Sequence, residues 1–245
     1  WSSKLGRGSE NGMNLIETFD HGYAVLSYKF DTFYPIVTKL DSSGKMQWYK
    51  GITDGGLGSG MEASSIVQCS ESSFVIGGSN SGLARLSPSG NVLWQRRDSV
   101  EDNNSYQGGM AKTADNGFAL CGSRLNDIYI ARFDSSGRLL WGVGIDGHSN
   151  EIARDIRETY TGDFIVLGST GSSFGDDSLI ILRLSSQGQI KSSRIFANYD
   201  FPFSDGNALT LSSDTTIMIA GQVFMSSNLP TKDSTDLLYM DLTLN

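Results

Sequence analysis

The chain has 245 residues, enough to bury a sizeable core, with 38% hydrophobic and only 19% charged residues. Its net charge of −8, with Arg96-Arg97 the only adjacent basic pair, excludes a nucleic-acid-binding surface, because phosphate contacts need clustered Lys and Arg. No stretch approaches the ~20 consecutive apolar residues of a membrane-spanning helix, and turn formers mixed with Val, Ile, Phe, Tyr and Trp point to an all-β protein.

In chain order, the turn residues "FDHG" lead into the apolar run "HGYAVLSYK" from His21. A further strand then enters "KLDSSGKMQWYKGITDG" from Lys39, where an Asp-Ser-Ser-Gly turn precedes a strand carrying Trp48. The order returns with "SSIVQ", "SSFVIGGS" from Ser72 and "RLSPSGNVLWQRRD" from Arg85, which carries Trp94. A third copy holds "TADNG", "NGFALCGS" from Asn116, "DIYIARFD" and "RFDSSGRLLWGVGIDG" (132–147), with Trp141. The fourth holds "RDIRE", "YTGD", "GDFIVLGS" from Gly162 and "RLSSQGQIKSSRIF" from Arg183, with Ser192 in the Trp position. The fifth holds "TTIMIAGQ" from Thr215 and closes on "DLLYMDLTLN", which matches a third strand. Asn, Asp and Gly tolerate the positive φ that tight reversals need, and no segment shows helical periodicity.

Each period of roughly 47 residues thus supplies four short strands, which is the period of a propeller blade. The sequence predicts a single five-bladed β-propeller over 1–245, with blades near 13–60, 61–108, 109–152, 153–205 and 206–245 plus 1–12. "WSSKLGRGSENG" at the start matches a fourth strand, so it is expected to complete the C-terminal blade and close the ring, which removes open sheet edges. A chain starting at Trp1 reads as a processed form or a fragment.

The D-x-x-G-x-x-x-W turns, followed by Gly-rich sequence, an acidic residue and an apolar strand, resemble the propeller repeats of secreted and cell-surface proteins of bacteria and archaea. "GSSFGDDSLIILRLSSQG" (171–188) is especially similar to them. The resemblance covers nearly the whole chain and extends in pattern to quinoprotein-like propellers. It implies a fold and an extracellular or cell-surface location more than an activity. The quinone cofactor it suggests would need a ring of cationic and aromatic contacts that the sequence does not supply, so no cofactor is expected.

Gly142, Gly144 and Gly147 have G-x-G-x-x-G spacing, but a strand follows where a dinucleotide site needs a helix, so they read as a connector between blades. Glu10, Glu62, Gln107, Glu151 and Asp205 precede the first strands. As a symmetric ring they read as backbone hydrogen-bonding partners; the alternative is glycoside hydrolysis by paired carboxylates drawn from Glu62, Glu151 and Asp205. Departures from symmetry point to recognition. "IFANYDFPFSDG" (195–206) brings Phe196, Tyr199, Phe201 and Phe203, and "KFDTFYP" (29–35) brings Phe33 and Tyr34. "VFMSSNLPTKDSTD" (223–236) is a longer polar loop.

Asp98, Glu101 and Asp102 lack the spacing of a calcium loop and read as a solvated turn. His21 and His148 have no Cys or His at zinc spacing, so no metal is expected. Asn103-Asn104-Ser105 is a glycosylation sequon. Cys69 and Cys121 read as buried thiols, with one disulfide left open. The expected function is a non-catalytic extracellular module that binds a glycan or a protein, or assembles with copies of itself.

Overall fold

A computed structural model describes residues 10–29, 31, 33–53, 63–78, 82–97, 104–105, 107–146, 150–171, 178–196, 203–212, 216–224 and 235–243. They form strands without a helix, so none is long and apolar enough to cross a membrane. The chain divides into two compact units, Trp1–Lys112 and Thr113–Asn245.

The first unit holds two four-stranded antiparallel sheets in simple meander order. Sheet 1 contains β1 (Glu10–Glu17), β2 (Tyr23–Lys29), β3 (Pro35–Leu40) and β4 (Met46–Gly51). Sheet 2 contains β5 (Ala63–Gln68), β6 (Phe74–Gly78), β7 (Gly82–Leu86) and β8 (Val92–Arg97). The short β9 (Asn104–Ser105) and β10 (Met110–Lys112) follow. In the second unit, sheet 3 contains β11 (Phe118–Arg124), β12 (Asp127–Phe133) and β13 (Leu139–Ile145). Sheet 4 contains β14 (Asn150–Glu158), β15 (Phe164–Gly171), β16 (Ser178–Leu184) and β17 (Ile190–Phe196). Sheet 5 contains β18 (Phe203–Leu211), β19 (Thr216–Phe224) and β20 (Thr235–Thr243). Sheets 1, 2 and 4 therefore show the expected four-strand period, and the closing strand expected from residues 1–12 lies largely outside the described residues.

Two turn families make the meanders. In each, the first residue's N–H bonds the fifth residue's carbonyl and the fourth residue's N–H bonds the first residue's carbonyl. The first family comprises 18–22, 69–73, 113–117 and 159–163. Its fourth position has positive φ and holds His21, Ser72, Asn116 or Gly162. The second family, 41–45, 87–91, 134–138 and 185–189, has the same bonds and always glycine at the fourth position. Asp41 Oδ1 accepts from Ser43 N, Ser43 Oγ and Lys45 N at 2.9, 2.6 and 3.0 Å, and Asp134 repeats this with Ser136 and Arg138. The recurring Asp-Ser-Ser-Gly is thus a self-bonded turn.

Alternation decides what is buried. Ala24, Leu26 and Val37 of sheet 1 pack with Ile66, Phe74, Ile76, Ala84 and Leu86 of sheet 2. Ile165, Leu167, Leu179, Ile181 and Phe196 of sheet 4 pack with Leu209, Ile217 and Ile219 of sheet 5. β3 and β6 are buried on both faces and so is most of β15, which explains their near-continuous apolar runs, whereas β2 and β19 alternate. Phe196 is 4% exposed, so this aromatic packs in the core instead of joining a recognition patch.

Within each unit a tryptophan fastens one sheet to the next. Trp48 of β4 donates from Nε1 to the Pro88 carbonyl of the next sheet's turn at 3.0 Å, and Trp141 of β13 does the same to Ser186 at 2.9 Å. Their rings meet Phe74 and Phe164 edge-on, both at 5.8 Å between centroids. Gly90 and Gly188 lie under the indoles, where a Cβ would stand 2.8 Å from a ring carbon. Phe74 with Gly90, and Phe164 with Gly188, are therefore the seats of Trp48 and Trp141.

Gly142 and Gly144 lie within β13, paired with Ala131 and Tyr129, so they are strand residues and not the connector expected. A Cβ on Gly142 would stand 2.3 Å from the Tyr129 hydroxyl oxygen. Close passage of the Tyr129 side chain thus accounts for this glycine. Cys69 and Cys121 are buried and form no disulfide.

Candidate functional site

Repeated acids on the first hairpins face cations of the third strands. Lys39 Nζ reaches both Asp20 oxygens at 3.0 and 2.9 Å, Arg85 reaches Glu71 at 2.8 Å and Arg132 reaches Asp115 at 2.7 Å. Asp163 takes both Arg183 and Lys191, at 2.8 and 2.6 Å. The Thr18 hydroxyl and then Lys39 hold the Asp20 carboxyl down at about 2. Burial alone would raise Asp115 and Asp163. For Asp115, the Thr113 hydroxyl, Gly117 N–H and Arg132 outweigh it; for Asp163, Lys191 and Arg183 do, and both carboxyls end below the usual range.

A second set, one amide and two carboxylates, joins neighbouring sheets within each unit. Gln68 Oε1 accepts from Phe19 N–H, and Glu158 Oε2 accepts from Ala114 N–H, both at 2.8 Å. Asp155 Oδ2 accepts from Leu209 N–H at 2.9 Å. Burial pushes the Asp155 and Glu158 carboxyls up, against the pull of these N–H donors. These polar groups do structural work.

The expected carboxylate set does not share one register. Glu10 pairs with Lys29 where Leu15 pairs with Val25, and Glu151 pairs with Thr170 where Ile156 pairs with Val166. Asp205 pairs with Gln222 where Leu209 pairs with Ile219, one place nearer. Asp205 therefore sits at a different ladder position from the other two, and its side chain lies outside the described ones. Gln107 is exposed, and Glu62 is outside the described residues.

Glu151 instead meets two acids that the sequence pattern did not single out. Single oxygens of Asp127, Asp146 and Glu151 all lie within 4.8 Å of one another. The two-residue turn Leu125-Asn126, with φ of 51° and 73°, starts β12 at Asp127, and its Asn126 carbonyl accepts from Glu151 N–H at 2.7 Å. Glu151 is 1% exposed and accepts from Thr170 Oγ1 at 3.3 Å. Three oxygens so spaced match the span of ligands ~2.3–2.6 Å from one hard cation, and paired carboxylates also suit proton transfer.

The loop 29–35 carries a different chemistry. Lys29 N–H bonds the Tyr34 carbonyl at 3.1 Å and Phe33 N–H bonds the Lys29 carbonyl at 2.7 Å, which closes the loop. Phe33 has φ of 55°, a left-handed conformation that costs a side chain of this kind about 1–2 kcal/mol. The Phe33 ring stacks on Tyr28, with centroids 5.6 Å apart and planes 21° from parallel. Asn11, opposite Tyr28 in the register, donates from Nδ2 to the Tyr28 hydroxyl at 2.9 Å. Lys29 pairs with Asp31 at 2.8 Å. Phe33, Tyr34 and Tyr28 are half-buried and Asn11 is exposed. Asn11 and Tyr28 went unnoticed in the sequence because only strand pairing brings residues 17 apart together.

Of the other expected positions, Tyr199, Phe201, His148, Asp98, Glu101, Asp102 and Asn103 lie outside the described residues. Phe203 starts β18, but its side chain is likewise outside them. His21 is exposed beside Glu17, at 3.2 Å.

No family model matches the chain, and no curated protein matches it. Solved structures do. A protein of unknown function from Dyadobacter fermentans superposes with a TM-score of 0.63 at 11% identity, over 98% of this chain and 84% of that one. The WD40 beta propeller domain of Doa1 gives 0.57 at 11% identity, over 89% of this chain and 64% of that one. The fold is that of a β-propeller. A putative gluconolactonase gives 0.55 at 11% identity, over 95% of this chain and 74% of that one, and the shared fold by itself assigns no activity.

Proposed function

We propose that the protein is a non-catalytic binding module, extracellular or at the cell surface, that recognises a glycan or a protein, or copies of itself, through loops at the blade ends. In this reading it is one five-bladed ring whose last blade is completed by residues 1–12. The observation that carries it is Phe33: an aromatic residue held in a left-handed conformation, in a loop that departs from the repeat, presents a stacked ring pair at the end of sheet 1. The repeated acids support it, because Asp20, Asp115, Asp163, Asp155 and Glu158 fasten strands and sheets. Resemblance of the D-x-x-G-x-x-x-W repeats to those of secreted propellers supports the location.

The test is a binding screen on immobilised glycans and surface proteins, a sedimentation series for self-association, and a glycosidase turnover screen. Binding or association without turnover is expected. Turnover of a glycoside that disappears in Glu151→Gln would refute the non-catalytic reading. The hydrolytic alternative draws on Glu62, Glu151 and Asp205, and what favours it is the meeting of Glu151 with Asp127 and Asp146.

A further inference from the structure

We infer that the Asn11–Tyr28–Phe33 group is a subsite for a neutral pyranose ring of a glycan; this rests on the reading of loop 29–35 as a recognition surface.

The apolar part of the argument is the ring pair. Tyr28 and Phe33 lie nearly parallel at 5.6 Å and are only half-buried, so they offer a flat surface of the kind that meets the C–H face of a sugar ring. The polar part is the hydrogen bond at its edge. Asn11 Nδ2 donates to Tyr28 Oη at 2.9 Å in an exposed setting, so the phenol proton points away from Asn11. The Asn11 amide also carries a carbonyl acceptor and a second N–H. The edge of the stack therefore presents two donors and one acceptor, grouped within one residue pair. Vicinal sugar hydroxyls, each both donor and acceptor, satisfy such a set together. A peptide in extended form brings carbonyls and N–H groups that alternate in direction and cannot meet all three from one unit.

Charge narrows the ligand further. Lys29 is neutralised by Asp31 at 2.8 Å, and the chain carries a net charge of −8, so sulfated or uronic polymers are repelled. A neutral polysaccharide is left.

The backbone supplies the discriminating variant. If Phe33 served stability alone, removing it would weaken the fold. If its strain is retained for recognition, Phe33→Gly relieves the left-handed penalty while deleting the platform. The experiment is calorimetric titration of the whole protein with xylohexaose, cellohexaose, mannohexaose and chitohexaose, with heparin and a proline-rich peptide panel alongside. Wild type is expected to bind at least one neutral hexaose. Phe33→Gly should weaken that binding at least about tenfold while its melting temperature is equal to or above that of wild type. Asn11→Ala should weaken it about five- to tenfold, as loss of a single hydrogen bond does, and Tyr28→Phe by several-fold with the stack intact. Heparin or peptide binding that depends on Phe33, without any neutral hexaose binding, would overturn the sugar assignment and leave the recognition surface standing. A melting temperature that falls in Phe33→Gly, with no hexaose, heparin or peptide bound by wild type, would overturn both.

Discussion

Alanine at Gly188 is expected to cost far more than alanine at Gly162, although the two glycines have almost the same backbone. Their φ values are 81° and 82°. At Gly162 an added Cβ finds only Ser186 Cβ, at 4.0 Å, so Gly162→Ala reports left-handed strain alone. That strain is about 1–2 kcal/mol, partly offset by ~0.4–1 kcal/mol from stiffening the unfolded chain. A net loss of about 1 kcal/mol follows. At Gly188 the same Cβ stands 2.8 Å from Trp141 Cε3, so the indole must move. Moving it forfeits its bond to the Ser186 carbonyl, worth about 1 kcal/mol, and its edge contact with Phe164, worth ~0.5–1.5 kcal/mol. Gly188→Ala should therefore lose about 3 kcal/mol. Urea unfolding followed by tryptophan fluorescence measures both variants. The control is Trp141→Ala, in whose background Gly188→Ala should cost no more than Gly162→Ala. Equal losses in the two single variants, or an unchanged Gly188 cost without the indole, would refute the seat.

Other outcomes follow from the acids and thiols. Asp20, Asp115 and Asp163 have folded pKa values below their unfolded ones, so their stabilisation is full above about pH 4 and is lost as the pH falls through the folded values, to about 2 for Asp20. Asp155 and Glu158 run the opposite way: their folded carboxyls hold the proton more tightly, so they weaken the fold as pH rises through the window above the unfolded values. Asp163→Asn should lose about 3 kcal/mol at pH 7, and the gap to wild type should shrink below pH 4 in urea titrations; a gap independent of pH would contradict the ion pairing. Asp155→Ala should leave the Leu209 N–H without its acceptor and cost about 1–3 kcal/mol, with faster hydrogen exchange at Leu209; unchanged exchange there would count against the bond. Cys69 and Cys121 should react with a disulfide reagent only in denaturant, and burial pushes the Cys69 thiol up as well; prompt labelling of the native protein would disagree.

What the sequence made legible was local. Asp41 and Asp134 carry their turn within five residues, so Asp-Ser-Ser-Gly could be read as a hairpin directly. Strand alternation was likewise visible, because Leu26, Phe74 and Ile165 each lie in short apolar runs bounded by turn chemistry. Register was not. Bulges fall between Phe203 and Asp205 and between Gly206 and Ala208 in β18, whereas β14 has one, between Ala153 and Asp155. A single extra residue moves a pairing by one place, and nothing in the spelling of "SDGNA" announces it. Asp127 and Asp146 were hidden for a related reason: each ends or begins a strand, and only the β12–β13 pairing and the Asn126 to Glu151 bond bring them together. Phe196 was grouped with a recognition patch because it opens an aromatic-rich insert, yet it is the last residue of β17, opposite Leu179, and is buried.

The indole locks also bear on how such a chain can lengthen or shorten. Each lock has its donor in one sheet and its acceptor in the next, so neither sheet of a locked pair carries a whole lock. Duplicating a full period that carries an indole keeps that indole one period from a turn whose fourth residue is glycine, whereas the period of sheet 4, with Ser192 in the Trp position, adds a turn without one. Cutting at any other length leaves an indole facing water and a turn glycine with nothing above it. Changes in chain length that keep whole periods are therefore the ones both locks tolerate.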